Sequence, residues 1–69
     1  MRIQSFIDEY VAATTLIRIT CKQEADIFFE GYKGEIPNYP EIEEIAGELG
    51  LWLDAVYADD DVLVIVASY

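Results

Sequence analysis

Residues 51–68 read LWLDAVYADDDVLVIVAS, two apolar runs parted by three consecutive aspartates, and their interpretation decides the fold. In the second run, Val62, Val64, Ile65 and Val66 follow in close succession. β-Branched side chains are stiff and pack well on a pleated surface, so this is the strongest strand signal in the chain. Leu51 to Tyr57 also favours strand, and strict alternation puts Trp52, Asp54 and Val56 on one face. Ala58 to Asp61 connects the two. Aspartate side chains bond readily to their own nearby backbone, which makes Asp59, Asp60 and Asp61 a hairpin loop instead of a tail.

Upstream of this hairpin, Ile42, Ile45, Ala46 and Leu49 keep helical spacing. Pro40 suits a first helical turn, and Glu41, Glu43 and Glu44 suit the positive end of the helix dipole. Gly50 stops the helix and Gly47 weakens it, so it is short. Pro37 and Pro40 exclude a ladder through residues 37–40, which must turn. Further back, Asp26 to Lys33 reads as a strand with Ile27 and Phe29 on one face. A polar break from Lys22 to Ala25 joins it to a strand over Thr15 to Cys21, where Leu16, Arg18 and Thr20 alternate with Ile17, Ile19 and Cys21. Ile3, Phe6, Ile7, Tyr10 and Val11 form the stripe of an amphipathic helix. The order is α-β-β-α-β-β. It predicts one α+β domain over residues 1–69, a four-stranded, mostly antiparallel sheet with short helices on one face.

Sixty-nine residues is near the lower limit for a fold without disulfides or metals, but the chain is 54% hydrophobic and rich enough to pack. Its net charge of −10 is lopsided: after Lys33 there are nine acids and no base. Such a field attracts basic partners and repels nucleic acid and anionic membrane. Cys21 is the only cysteine, so no internal disulfide can form and a reducing compartment is the simplest reading. Asp8, Glu9 and Arg18 interrupt the N-terminal region, leaving no apolar run long enough for a membrane span or a signal core. The expectation is a soluble cytoplasmic protein.

The composition weighs against catalysis. The chain has no histidine, which most acid–base and nucleophilic sites near neutral pH employ. Cys21 alternates into Ile17 and Ile19 as a small core residue, and Gly31 and Gly34 lack the phosphate-loop motif. Consecutive aspartates point different ways, and the EF-hand spacing is missing, so Asp59 to Asp61 reads as a solvated turn. No catalytic, cofactor or metal site is expected.

Binding is the better-supported class. Glu41, Glu44 and Glu48 share one helical face, where like charges repel by a few tenths of a kcal/mol per pair until a basic partner arrives. If Ile17, Ile19, Ile27 and Phe29 face the helices, the other side of the sheet carries Leu16, Arg18, Phe28, Glu30 and Tyr32. Trp52 and Asp54 either join that surface or, one register step away, turn into the core. The candidate partner-binding residues are therefore Glu41, Glu44, Glu48, Trp52, Asp54, Asp59, Asp60 and Asp61.

In size, acidity, tyrosine content and α+β patterning across the whole chain, the sequence resembles the small acidic inhibitors of phages and mobile elements, including anti-CRISPR proteins and nucleic-acid mimics. The resemblance implies a non-enzymatic inhibitor that presents carboxylates to the basic nucleic-acid-binding surface of a host nuclease or CRISPR effector. The alternative is a self-associating structural or regulatory module, such as a homodimer joined through the strand Val62 to Ala67, whose acids serve solubility.

Overall fold

The computed structural model describes residues 1–38 and 51–69. The expected helix around Ile42 to Leu49, with Glu41, Glu44 and Glu48, lies outside the described residues.

Helix α1 spans Ile3–Tyr10, with Ile3 and Ile7 buried on the predicted stripe. No side chain caps its start. Instead the Ile3 N–H donates to the Leu51 carbonyl at 3.2 Å, so one of the amides left orphaned at a helix N-terminus is satisfied by the chain entering the last hairpin. Phe6 and Tyr10, one turn apart, stack at a tilt with ring centres 5.6 Å apart.

The strands are β1 Leu16–Cys21, β2 Glu24–Tyr32, β3 Trp52–Asp59 and β4 Val62–Ser68. They lie in the order β2-β1-β4-β3. The β1–β2 and β3–β4 pairs are antiparallel hairpins, and the central β1–β4 pair is parallel, so the sheet is mixed. The predicted polar break shrinks to Lys22 and Gln23. Between the hairpins, Lys33–Asn38 is a 3-10 helix, in keeping with the turn anticipated around Pro37.

This order explains the sequence of β4. A strand with neighbours on both sides has its backbone groups paired along both edges and sits at the middle of the sheet, and Val64, Ile65 and Ala67 are all buried. It also corrects one expectation: Val62 to Ala67 is an interior strand, and the sheet edges are β2 and β3.

One core lies between α1 and the sheet. Ile3, Ile7 and Val11 meet Ile17, Ile19, Phe29, Ile36, Leu51, Ile65 and Ala67, each at most 7% exposed. Cys21 is buried on the same side of β1, as expected of a small core residue.

Two predicted faces are revised by bulges. In β2, Ile19 pairs with Phe29 but the next residue, Thr20, pairs with Ile27, so Phe28 is the extra residue. Ile27 therefore shares the outer face with Arg18 and Thr20, while Phe28 packs partly against the core. In β3, Leu53 pairs with Ala67 and Ala55 with Val66, leaving Asp54 as the extra residue. Alternation then places Trp52, Ala55, Tyr57 and Asp59 on the outer face and Val56 on the core side, so Trp52 and Val56 do not share a face.

Candidate protein interface on the sheet face opposite α1

The sheet face opposite α1 is covered by no described element. Across its middle runs a row formed by Glu30, Arg18, Val64 and Tyr57, one residue from each strand in spatial order. The Arg18 guanidinium reaches both edges of the sheet. Its Nη2 and Nε contact Glu30 Oε1 on β2 at 2.9 and 3.2 Å, and its Nη1 contacts Asp59 Oδ2 on β3 at 3.4 Å. The hydrogen bond and charge of Glu30, with a smaller contribution from Asp59, raise the Arg18 pKa further above its ordinary value.

To reach Asp59 from β1, Arg18 must pass over β4, since neighbouring strands are about 4.8 Å apart. Val64 lies at that level on β4 and is 1% exposed, although no described helix packs on this face. The aliphatic part of an arginine that crosses a strand can shield apolar surface while its charged end stays wet.

Around this triad stand four large side chains at about half exposure: Ile27 at 52%, Tyr32 at 52%, Trp52 at 47% and Tyr57 at 55%. The Arg2 guanidinium carbon lies 4.1 Å from the centre of the Trp52 ring, a cation–π contact. Arg2 also bridges to Trp52 through the backbone, and the Leu53 N–H donates to the Met1 carbonyl at 2.8 Å. Trp52 is thus on the surface, held but not buried.

Of the predicted partner-binding residues, Trp52, Asp54 and Asp59 lie on β3, Asp60 and Asp61 lie in the turn that follows, and Glu41, Glu44 and Glu48 lie outside the described residues. Trp52 and Asp54 mark the start of β3, where Lys22 Nζ lies 3.6 Å from Asp54 Oδ1. Asp59 ends the strand on Arg18, and Asp60 and Asp61 form the exposed tip of the turn. Five residues of extended chain hold Asp54 and Asp59 about 17 Å apart. Among the described residues, no group of three or more potential ligands is placed to hold a metal ion, and no polar or charged side chain is buried.

Sequence reasoning placed Arg18 and Glu30 on this face, with Glu30 as an acid that orients a partner and Arg18 without a role. The available signal was Arg18 itself, a lone base between Ile17 and Ile19 that a sheet face must accommodate. Tyr57 was missed because the Asp54 bulge hides its side of the strand.

At the far end of the sheet the last residues are clasped to the β1–β2 turn. Gln23 Nε2 donates to Ser68 Oγ at 2.9 Å, the Tyr69 N–H donates to Gln23 Oε1 at 3.2 Å, and Tyr69 Oη donates to Glu24 Oε2 at 2.7 Å. That last bond raises the Tyr69 pKa from 10.0, because a phenolate beside a carboxylate is disfavoured.

No protein-family profile, characterised protein or solved structure matches the chain. No described helix is long and apolar enough to cross a membrane.

Proposed function

We propose that the chain is a non-enzymatic, acidic protein-binding module whose sheet face opposite α1 docks on a basic protein surface. One observation carries this reading: Ile27, Tyr32, Trp52 and Tyr57 stand half exposed around the Arg18–Glu30–Asp59 triad on a face that nothing described covers. Tyrosine, tryptophan and arginine are the side chains enriched at protein interfaces, and carboxylates on the same face select a partner of opposite sign.

The partner class is a protein that carries a basic groove. The nucleic-acid-binding surface of a nuclease or CRISPR effector is the instance implied by the resemblance in size and charge, with Asp59, Asp60 and Asp61 standing in for phosphates and Glu41, Glu44 and Glu48 as further candidates. The cytoplasm is the compartment in which such a partner would be met.

The test compares proteins retained from a host lysate by the wild type and by the Trp52→Ala/Tyr32→Ala double variant. A partner that uses this face is retained by the wild type, lost by the variant, released by salt and displaced by double-stranded DNA. Equal retention by both proteins overturns the assignment of the face. Retention that resists DNA overturns the mimicry of nucleic acid while leaving the face in place.

A further inference from the structure

The two edges of the sheet are protected very differently. An exposed edge presents unpaired N–H and C=O groups, and soluble proteins usually blunt it with charges, prolines or bulges. Edge β2 is blunted: it breaks register twice against β1 and carries Glu24, Asp26 and Glu30. Edge β3 is blunted only at its ends. Met1 and Arg2 pair with its first residues and Asp54 forms a bulge, but Ala55, Val56, Tyr57 and Ala58 are all exposed and uncharged.

The register of β3 determines which backbone groups face outward. The Leu53 N–H points away from β4, because it bonds to Met1. At the other end Asp59 and Val62 flank the two-residue turn Asp60–Asp61, and such a turn closes with a bond between its first and fourth residues. Asp59 therefore faces β4. Alternation back along the strand turns Tyr57 and Ala55 toward β4 as well, and sends Ala58 and Val56 outward, with the bulge at Asp54 absorbing the change of phase.

We infer that β3 pairs antiparallel with β3 of a second copy, Val56 bonding Ala58 of the partner across a two-fold axis at Tyr57, to give a continuous eight-stranded sheet. Two outward residues separated by one inward residue are self-complementary about that axis, and Tyr57 meets its own copy as a non-hydrogen-bonded pair, the spacing at which side chains approach closest. Among the described residues the pairing lane is clear from Asp54 onward and closed by Met1 and Arg2 before it, so the register cannot slide freely.

The two-fold sets Asp60 of one copy opposite Asp54 of the other, whose carboxylate Lys22 already partners. A second copy fits this lane in backbone register. The pairing shares Tyr57 with the open face, whose outer side it leaves exposed and doubles in extent.

The test is amide hydrogen exchange of the wild-type protein over a concentration series reaching sub-millimolar, with sedimentation velocity on the same samples. The expected result is a dimer whose formation slows exchange at Val56 and Ala58, while Ala55 and Tyr57, already bonded to β4, stay protected throughout. Ala58→Pro removes an outward N–H that the monomer does not use, and is expected to leave a folded monomer at every concentration. A wild type that remains monomeric, or a dimer in which Val56 and Ala58 still exchange freely, overturns the inference. So does a dimer in which Ala58→Pro sediments like the wild type.

Discussion

Asp60 is the one described residue other than glycine with positive φ, at 54°. In this region the Cβ of an ordinary residue crowds the backbone, whereas aspartate is tolerated because its short carboxylate bonds locally, and glycine has no Cβ at all. The prediction is a graded one. Asp60→Val should cost about 1–2 kcal/mol of unfolding free energy, the usual strain of a bulky residue held left-handed. Asp60→Gly should remain close to wild type. Urea midpoints of the two variants decide it, and equal losses would show that the aspartate carboxylate, not the backbone angle, holds the turn. The three aspartates were legible as a turn from composition alone. That Asp59 belongs to a strand and locks onto Arg18 was not, because an ion pair between residues forty-one positions apart leaves no mark on either local pattern.

The elements were legible where periodicity is strong and blurred where one strand contains an extra residue. α1, β1 and β4 fall close to their predicted places, since the helical stripe from Ile3 to Val11, the alternation Ile17-Ile19-Cys21 and the valine run each have a single period. The bulges at Phe28 and Asp54 broke the prediction for β2 and β3. A period-two pattern inverts after one extra residue, and so Ile27 and Val56 changed faces. Nothing local announces such a bulge. The connection from α1 to β1 depends equally on a close approach: the Gly34 N–H donates to the Ala13 carbonyl at 2.9 Å, tying the first loop to the 3-10 helix. A Cβ on Gly34 would lie 3.2 Å from the Ala13 oxygen and 3.3 Å from its Cβ, tighter than normal packing. Gly34→Ala is therefore expected to destabilise by about 1 kcal/mol, in the lower range for small overpacking changes. Adding Ala13→Gly removes one of the two contacts and should recover part of the loss; no recovery in the double variant would place the strain elsewhere.

At the scale of the whole molecule the decisive quantity is the charge of −10 carried on a body whose longest extent is 26 Å. The Debye length is about 30 Å at 0.01 M salt, so at that ionic strength every carboxylate feels every other; at 1 M it is about 3 Å, and only contacts survive. Three ion pairs are seen among the described residues, Arg18 with Glu30 and with Asp59, and Lys22 with Asp54, and all involve partly exposed carboxylates. Exposed pairs contribute between nothing and about 1 kcal/mol each and weaken in salt, whereas repulsion is summed over the whole excess of acids. Repulsion should win. The melting temperature is therefore expected to rise between 0.01 M and 1 M sodium chloride, and to rise as well when pH is lowered toward the carboxylate range. Binding to a basic partner must respond with the opposite sign, because there the same acids are attracted and salt screens the attraction. Thermal melts and affinity measured over one salt series separate the two effects. A melting temperature that falls with salt would mean that the ion pairs around Arg18 outweigh the excess charge, and that the acidity is already balanced within the fold instead of held ready for a partner.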